Sequence, residues 1–407
     1  MKQGWEIKTL GEISEIMNGG TPDTTISKFW DGENLWITPK DMGKLHGVFV
    51  DDTLRKITAE GLKNSSAKIL PPNSIILSSR APIGHLAINT KPISTNQGCK
   101  GLVPKKNVET LYLYYFLTKS VDLLNSLGTG ATFKELSGSK LANVEIPLPP
   151  LSEQQRIVSI LDEAFAAFAK AKANAEQNLK NAKELFESYL QGVFENKGED
   201  WEEKTLGEVC ILISKGSSPK WQGIKYVDEP GVLFVTSENV GENTLLIEHR
   251  KYVEEKFNIS DKKSILKNGD VLTNIVGASI GRTAIFDLDD IANINQAVCL
   301  IRCNQELLFN EFLMYLLNSP FTKQHLHDNE VDNARANLSL GFFRSMSIPL
   351  PKLSEQINVV EKIKAFHTET QKLEVIYQQK INDLEELKKS VLQKAFSGEL
   401  KISTALV

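Results

Sequence analysis

Cysteine is scarce in this chain, and long apolar runs are missing from it. The 407 residues include four cysteines, Cys99, Cys210, Cys299 and Cys303, with no Cys-x-x-Cys pair and no zinc-finger spacing to histidine. A disulfide scaffold and a zinc module are therefore not expected, and free thiols in a reducing cytoplasm are the plain interpretation. No stretch approaches the roughly 18 apolar residues of a membrane span, and no apolar signal segment follows the N-terminus. We expect a cytoplasmic location and no membrane partner.

Recognisable catalytic motifs are also missing. The glycine-rich run 128–132 lacks the closing Gly-Lys-Ser/Thr of a phosphate-binding loop. There is no Asn-Pro-Pro-aromatic or Asp-Pro-Pro-aromatic motif of the kind that amino-methyltransferases place beside the target amine. His325 and His327 have no further ligand candidates at metal-site spacing. The sequence predicts no catalytic residue, no cofactor-binding residue and no metal ligand in this chain.

Positive charge is not in excess, since the net charge is −4. Residues 1–150 carry 17 Lys and Arg against 14 Asp and Glu, whereas residues 201–350 carry 15 against 20. Bulk charge therefore argues weakly against nucleic-acid binding by the chain alone. Any phosphate contact must come from local clusters of basic residues or from a partner protein.

What the chain does have is a long internal repeat. Residues Trp5–Ile13 (WEIKTLGEI) recur as Trp201–Val209 (WEEKTLGEV), and Ile146–Gln154 (IPLPPLSEQ) recur almost unchanged as Ile348–Gln356 (IPLPKLSEQ). The offset grows from 196 to 202 residues, as small loop insertions between fixed elements would cause. Duplication without functional meaning is the alternative interpretation of such a repeat.

Each repeat has a globular part followed by a long helix. β-rich runs such as 74–78 and 270–276 are bounded by Pro, Gly and Asn, and the runs 111–118 and 309–317 indicate short helices. This mixture predicts an α+β fold. We place the first globule at 1–150, its helix at 151–196, the second globule at 197–350, its helix at 351–398 and a tail at 399–407.

The helical parts show the alternating 3- and 4-residue apolar spacing of a coiled-coil seam. Ser152 with Gln155 predicts an N-terminal capping box, and Ser354 predicts the cap of the second helix. About 43 residues of helix span roughly 65 Å. The predicted pairing residues are Leu161, Phe165, Phe168, Leu179, Phe186, Tyr189, Ile363, Phe366, Leu373, Tyr377, Leu384, Leu387 and Val391, interrupted by Lys172 and Lys380.

Pseudo-twofold symmetry would make the two helices pair antiparallel. The fold class is therefore α+β, with two similar α/β globules alternating with two long helices in an antiparallel coiled coil. The alternative is that each amphipathic helix packs only on its own globule. Two similar heads at a fixed separation suit a ligand with two half-sites, and the major groove of DNA recurs every ~34–36 Å.

As a set, these motifs resemble the conserved regions of type I restriction–modification specificity subunits. The resemblance rests on the Trp-x-x-Lys-Thr-Leu-Gly-Glu openings, the Ile-Gly turns at 83–84 and 280–281, the Asn-Gln pairs at 96–97 and 295–296, and the two Ile-Pro-Leu-Pro segments before the helices. It covers essentially the whole chain. It implies that the globules are target-recognition domains, each binding one half of a bipartite, asymmetric site in double-stranded DNA.

The same resemblance implies a set of partners. The helices would set the spacer length and dock two methyltransferase subunits, and a motor-nuclease restriction subunit would join for cleavage. Methylation would fall on adenine N6 of a flipped base in the partner's pocket. S-adenosylmethionine, ATP and Mg²⁺ would then bind the partner subunits and not this chain.

Individual DNA contacts are not given by the motifs, so we select basic residues in predicted turns. Arginine can hydrogen-bond to guanine edges, and lysine can bind phosphates. For each residue the alternative explanation is that it is an ordinary charged surface residue. Asn96-Gln97 and Asn295-Gln296 recur in both heads, which favours structural hydrogen bonding over base reading. The candidates are Lys40, Arg80, His85, Lys100, Lys134, Lys220, Arg282, Arg335 and Arg344.

Two other functions stay open on the sequence. The chain could belong to a related restriction system that fuses modification and recognition, against which the missing methyltransferase motifs count. It could also be a coiled-coil scaffold without a nucleic-acid role, which the acidic second head favours slightly.

Overall fold

The computed structural model describes residues 4–80, 82–130, 134–329 and 337–400. The chain divides into two compact units, one formed by Met1–Ala175 with Gln379–Val407 and the other by Glu176–Gln378. Each unit contains one globular head and a segment from each of two long helices. Within the described part of the chain, no helix has the length and hydropathy needed to cross a membrane.

The first head contains short strands and short helices. Its strands are β1 Glu6–Thr9, β2 Ser14–Asn18, β3 Trp30–Ile37, β4 Phe49–Val50, β5 Arg55–Ile57, β6 Ile69–Leu70, β7 Ile75–Ser79, β8 Ile83–Asn89, β9 Ile93–Thr95, β10 Cys99–Pro104 and β11 Glu145–Leu148. Its helices are α1 Leu10–Ile13, α2 Pro39–Met42, α3 Ala59–Lys63, α4 Thr110–Lys119, α5 Val121–Leu127 and α6 Gly138–Ala142.

These strands form two sheets and a separate strand pair. One sheet has the order β2-β10-β7-β8-β4, and the other has the order β5-β3-β9-β6 with β3 and β9 parallel. The first and last strands of the head, β1 and β11, pair antiparallel. The central strand β7 is buried along its whole length, as its Ile-Ile-Leu sequence predicts.

Each head is followed by one long helix, α7 Leu151–Glu195 and α13 Leu353–Ser397. The helix of the first repeat begins at Leu151, as predicted, and that of the second begins at Leu353, two residues after the predicted bound. Ser152 and Ser354 therefore lie inside the first turn, and the predicted serine caps are wrong. The preceding prolyl carbonyl takes part in starting the helix, since Glu153 N donates to Pro150 O over 2.9 Å.

The second head repeats this arrangement. Its strands are β12 Glu202–Thr205, β13 Cys210–Lys215, β14 Tyr226–Val227, β15 Val232–Val235, β16 Tyr252–Val253, β17 Asp270–Asn274, β18 Thr283–Phe286, β19 Ala292–Ile294, β20 Val298–Cys303 and β21 Ser347–Leu350. Its helices are α8 Leu206–Val209, α9 Lys256–Ser260, α10 Asn310–Asn318, α11 Pro320–Asp328 and α12 Leu340–Ser345.

The inner strands of the two heads correspond, β2-β10-β7-β8 to β13-β20-β17-β18 and β5-β3-β9 to β16-β15-β19, whereas the edge strands β4, β6 and β14 differ between them. The second head has the order β13-β20-β17-β18 in one sheet and β14-β16-β15-β19 in the other, with β15 and β19 parallel and β12 paired to β21. The predicted strands near 74–78 and 270–276 and the predicted helices near 111–118 and 309–317 are all present. The repeat in the sequence is thus a repeat of the fold, and the α+β prediction is confirmed.

The Thr-Leu-Gly-Glu segment opens both heads with a capping box. The Thr9 side chain accepts from the amide of Glu12, and the Glu12 carboxylate accepts from the amide of Thr9. Thr205 and Glu208 form the same box at α8. These hydrogen bonds lower the pKa of both glutamates, with the Thr9 amide the largest cause for Glu12. The Ser/Thr-x-x-Glu pattern is readable in the sequence and explains why this segment is shared.

A buried glutamine anchors the start of each long helix. The Gln154 amide donates to the carbonyls of Asn107 and Pro149 and accepts from the amide of Glu109. Gln356 makes the corresponding three bonds in the second unit. Both glutamines are fully buried, so their bonds fix where each helix leaves its head. This explains why the Leu-Ser-Glu-Gln sequence occurs twice.

Segments of both long helices complete the hydrophobic core of each unit. In the first unit Leu161 from α7 and Phe396 from α13 are buried against the head, and Phe396 lies 5.0 Å from Tyr112 between ring centroids. In the second unit Phe194 from α7 lies 5.5 Å from Phe312, with Ile363 from α13 beside them. The helix segments are therefore part of each folded unit.

Within each unit the two helix segments pair antiparallel. In the first unit Lys172 Nζ lies 2.6 Å from Glu385 Oε1, and Lys388 lies over the Phe165 ring at 5.3 Å. In the second unit the ring centroids of Tyr189 and Phe366 are 4.3 Å apart. In these contacts the residue numbers on α7 rise while those of their partners on α13 fall. The predicted antiparallel pairing is therefore confirmed. The Lys172 interruption of the seam takes part in an interhelical ion pair.

The residues predicted to pair along α7 are buried or half-buried, whereas two of those predicted along α13 are exposed. Most of the predicted pairing residues are buried or half-buried, but Leu373 is 38% exposed and Leu387 is 47% exposed. The next residues along the helix, Glu374 and Lys388, are half-buried in their place. The prediction chose these leucines because they are apolar. Each residue is rotated by about 100° around the helix axis from the one before it, so the residue after each leucine faces the partner helix instead.

Candidate nucleic-acid interface

The loops that follow the strands of the first head lie against one another. Gly20 N donates to Thr95 O over 2.8 Å, and Asn96 N donates to Ile37 O over 2.8 Å. We call this cluster the first loop face; it comprises residues 19–22, 38–43, 79–85 without 81, 95–98 and the described part of 128–135.

Two further contacts tie the same loops together. A Cβ added to Gly98 would lie 3.1 Å from Pro39 Cγ and 3.2 Å from Arg80 Cγ, so the three residues lie close together. The ring of His85 lies 3.2 Å from the carbonyl oxygen of Pro39 through Nδ1. Three of the predicted DNA-contacting side chains, those of Lys40, Arg80 and His85, are thus brought to one face.

The second head builds an equivalent cluster, which we call the second loop face. It comprises residues 216–223, 236–239, 276–282, 295–297 and Asn337. Asn295 N donates to Val235 O over 3.1 Å, and Asn274 Nδ2 donates to Ser237 O over 2.9 Å. The main-chain scaffold of the two faces is therefore shared.

A glycine is required where the first loop of each face crosses the Asn-Gln turn. A Cβ on Gly19 would lie 2.0 Å from the carbonyl oxygen of Asn96, and a Cβ on Gly216 would lie 1.8 Å from that of Ile294. No larger residue fits without moving the main chain. The equivalent close approach in both heads identifies this crossing as part of the scaffold.

The asparagine of each Asn-Gln turn has a structural role, as predicted. Asn96 Oδ1 accepts from the amide of Gly98 over 2.7 Å, and Asn96 Nδ2 donates to Thr21 Oγ1 over 2.9 Å. In the second head Asn295 Oδ1 accepts from the amide of Ala297 over 3.0 Å. These bonds shape the loops and use the amide groups that base reading would need.

An acidic residue lies between two of the predicted basic contacts of the first face. Glu135 is 3.7 Å from the Arg80 guanidinium and 4.0 Å from the Lys100 ammonium. The Lys100 side chain is only 8% exposed, so it lies beneath the face and not at its surface. Lys134 is exposed beside this group. The Lys100 side chain therefore adds positive charge below the face and is not exposed for direct contact at its surface.

The predicted basic residues of the second head are distributed differently. Lys220 and Arg282 are exposed on the second loop face. Arg344 instead donates from Nη2 to the carbonyl of Ile213 over 3.0 Å, which holds α12 against β13. Arg335 lies outside the described residues. The Arg344 bond is a structural contact that the sequence could not reveal, because its acceptor is 131 residues away.

Sequence reasoning missed two aromatic features near the loop faces. In the first head the Arg55 guanidinium stacks 4.6 Å above the Trp36 ring, and the Trp36 indole donates to Gly20 O in the first loop. In the second head Trp221 is 84% exposed in the turn Pro219–Gln222. The stacking of Arg55 on Trp36 depends on contacts between distant residues. The exposed Trp221 could have been predicted, because the sequence Pro-Lys-Trp is typical of a turn.

The thiols of Cys99, Cys299 and Cys303 are not poised for nucleophilic chemistry. Burial raises the pKa of the Cys99 thiol to about 12, and burial also raises that of Cys299. Cys303 lies opposite Cys210 on the paired strand, and their hydrogen bond, followed by burial, raises the pKa of Cys303. Thiols held in the protonated form are poor nucleophiles. Among the described residues, no group of His, Cys, Asp or Glu is arranged to hold a metal ion.

The two loop faces define a class of protein. Each face rests on the same main-chain scaffold, but the exposed side chains differ, with Arg80 and Lys134 on one and Lys220, Trp221 and Arg282 on the other. A protein built in this way presents two related but non-identical binding surfaces in one chain.

Comparison with known proteins identifies the family. The description "Type I restriction modification DNA specificity domain" matches the chain twice, over residues 2–180 and 198–386. Together the two matches cover most of the chain, and each includes one head. The chain belongs to this family.

Curated relatives extend over nearly the full length. The chain is 29% identical to the MjaIX type I restriction enzyme specificity subunit of Methanocaldococcus jannaschii, over 98% of this chain and 94% of that protein. It is 24% identical to the MjaVIII specificity subunit of the same organism, again over 98% and 94%.

Solved structures share the fold. A chain from a study of complex assembly and conformational transition of the type I R-M system matches with a TM-score of 0.78 at 20% identity, covering 98% of this chain and 99% of that one. The HsdS subunit from Thermoanaerobacter tengcongensis matches with a TM-score of 0.62 at 20% identity, covering 98% of each chain. At this level of identity the likeness concerns the fold.

Proposed function

We propose that this chain is the sequence-specificity subunit of a type I restriction–modification complex, in which each head binds one half of a bipartite, asymmetric site in double-stranded DNA. The observation that carries the proposal is the double match to the specificity-domain family, one match for each head. The shared scaffold and different side chains of the two loop faces support it, because similar heads with different contacts would read different half-sites.

The long helices set the distance between the half-sites in this proposal. Each helix belongs to both compact units, with α7 passing from the first to the second and α13 from the second to the first. A continuous helix is a stiff connection, and its length is fixed by a rise of about 1.5 Å per residue.

Methyltransferase subunits dock on the helices, one for each copy of the repeat. Apolar side chains remain at the helix surface, with Leu185 48% exposed on α7 and Val375 69% and Ile376 57% exposed on α13. Exposed apolar groups of this kind suit a protein partner. A restriction subunit joins the assembly for cleavage.

This chain supplies recognition and not catalysis. S-adenosylmethionine, ATP and Mg²⁺ bind the partner subunits, and the complex works in the cytoplasm on cellular or invading DNA. Adenine N6 of a flipped base is the methylated atom, in a pocket of the methyltransferase subunit.

The test is to express the methyltransferase subunit with and without this chain and to map methylated adenines in the DNA of the host. We expect methylation at a single asymmetric bipartite sequence only when this chain is present. Methylation of the same sites without it would refute the proposal. Binding of S-adenosylmethionine to the isolated chain would favour a fused enzyme instead, and an assembled complex without salt-dependent DNA binding would favour a scaffold.

The ruler part of the proposal has its own test. Deleting one or two helical turns between residues 160 and 190, with a matching deletion in α13 to preserve the antiparallel pairs, should change the spacer between the methylated half-sites. The half-site sequences should stay the same. An unchanged spacer in a folded, active complex would contradict the ruler.

A further inference from the structure

The second head presents an indole in an unusual setting. Trp221 is 84% exposed, the largest exposed fraction among the large apolar side chains of the described residues. By contrast, the indoles of Trp30, Trp36 and Trp201 each donate their N–H to an oxygen of the protein. Covering an exposed indole ring with a ligand removes apolar surface from water and is therefore favourable.

The turn that carries Trp221 is held in place by hydrogen bonds. Trp221 N donates to Ser218 O over 3.2 Å, and Ile224 N donates to Pro219 O over 2.9 Å. Ser217 Oγ also donates to Asp261 Oδ2 over 2.5 Å. The indole is thus carried on an ordered turn, so little main-chain entropy would be lost when it binds.

Three exposed lysines lie near this turn, together with the Asp261 carboxylate that Ser217 bonds, in a head with an excess of acidic residues. Lys220 precedes the tryptophan, and the Ser217–Asp261 bond brings the turn beside Lys262 and Lys263, which follow Asp261 in the chain. All three lysines are exposed, and within the described part of the chain none of them forms an ion pair. Lysines without an ion-pair partner can bind phosphates, and an exposed aromatic ring can pack against bases or sugars. Together they suit a nucleic acid.

We propose that Trp221 is the aromatic DNA contact of the second head, packing its ring against a base or sugar of the half-site while Lys220, Lys262 and Lys263 face the phosphates. The proposal rests on the proposed function. DNA is favoured over a protein partner because the ring lies on the second loop face among unpaired cations.

The test compares three variants of the complete complex with its methyltransferase subunits. The probe is a duplex with the methylated sequence identified in the host DNA. Trp221→Ala should weaken binding by roughly ten- to a hundredfold, the range expected for loss of one favourable contact to a duplex site. Trp221→Phe should retain much of the affinity. Ile291→Ala removes a 71% exposed side chain just before β19, at the opposite end of this strand from the Asn295 turn, and should bind like the wild type.

Two further readouts locate the contact. Base changes in the half-site of the second head should matter less in Trp221→Ala, while base changes in the other half-site should keep their effect. The difference in fluorescence between wild type and Trp221→Phe should report quenching of this indole by the duplex.

The outcomes separate this inference from the proposed function. If the wild-type complex binds the duplex and Trp221→Ala binds equally well, the inference is wrong and the proposed function stands. If Trp221→Ala instead fails to assemble with the methyltransferase subunit, the indole belongs to a protein interface and the inference is also wrong. If the wild-type complex does not bind the duplex, the proposed function is wrong, and the inference about Trp221, which rests on it, is wrong as well.

Discussion

The two heads share their main chain and differ in the side chains they expose. The inner strands correspond, the first loop of each face needs a glycine at its crossing, and the asparagine of each Asn-Gln turn accepts from the amide two residues later. At structurally equivalent positions, however, Lys100 of the first head is replaced by Cys299, since each pairs with the corresponding residue of the neighbouring strand. The comparison shows that the main-chain scaffold is shared, whereas the side chains differ both on the loop faces and, as at Lys100 and Cys299, beneath them.

Charge follows the same division. The first head carries a small excess of basic residues and the second an excess of acidic ones. In the first head Arg80 lies beside Glu135, while in the second head Lys220, Lys262 and Lys263 lie near the turn Pro219–Gln222. The exposed basic residues of the two heads are therefore placed differently.

The largest expected effect tests the common scaffold. Gly216→Ala should destabilise the second unit by at least about 2 kcal/mol, because the new Cβ would collide with the carbonyl of Ile294. Gly19→Ala should have a similar effect on the first unit, where the collision is with Asn96 O. Thermal unfolding of the purified chain measures both.

The matched control for this prediction is Gly192→Ala on α7. A Cβ there meets only Asn196 Nδ2 at 3.9 Å, so the substitution should be neutral or slightly stabilising, as expected for glycine replaced in a helix. A large effect in one head and none in the other would break the claim of a shared scaffold.

A smaller effect should appear in DNA binding by the first head. Glu135→Gln removes the negative charge beside Arg80 and Lys100, so binding of the assembled complex to its site should tighten a few-fold, worth about 1 kcal/mol or less, with a steeper salt dependence. Titration of labelled duplex at several salt concentrations measures this.

Glu6→Gln serves as its control, because Glu6 pairs with Lys8 at 3.0 Å on β1 and the charge change is the same. The control should leave affinity almost unchanged. Equal effects of the two substitutions would mean that net charge, and not the Arg80 contact, sets the affinity of the first face.

The smallest expected effect concerns the helix pair of the second unit. His367 stacks on Phe186 with ring centroids 4.3 Å apart, and burial lowers the pKa of the imidazole below its ordinary value of 6.5. The unfolded chain then binds the proton more readily than the folded one, so stability should fall as the pH drops below about 6.5 and level off beneath the lowered pKa.

His367→Phe keeps a ring against Phe186 and removes the titration. Its melting temperature should therefore depend less on pH between 7 and about 5 than that of the wild type. The first unit has a different pair at its helices, Lys172 with Glu385, whose hydrogen bond lowers the pKa of the glutamate. A pH dependence unchanged by His367→Phe would show that this histidine does not matter to the pairing.

The sequence predicted the features that repeat and the features that are periodic. The duplicated motifs identified two like heads, and the 3- and 4-residue spacing identified two pairing helices, because order and period are local properties of a chain. The phase along α13 was wrong at Leu373 and Leu387, since polar neighbours such as Lys388 occupy the seam through their long side chains.

The remaining features depend on contacts between distant residues. The anchors at Gln154 and Gln356 bond to loops 45 to 49 residues earlier in the chain, and Arg344 bonds to Ile213. Nothing in the local pattern distinguishes these side chains from surface glutamines or arginines. Among the DNA-contact candidates, the individual roles of Lys40, Arg80, His85, Lys134, Lys220 and Arg282 stay predictions.

One measurement tests the central claim most directly. The segment 201–350 is replaced by a second copy of 1–150, the chimera is produced with the methyltransferase subunit, and methylated adenines are mapped in the host DNA. Independent heads on a common scaffold predict a symmetric site, with the half-site of the first head in both halves and the spacer unchanged. A folded, active chimera that still methylates the original asymmetric site would contradict the account.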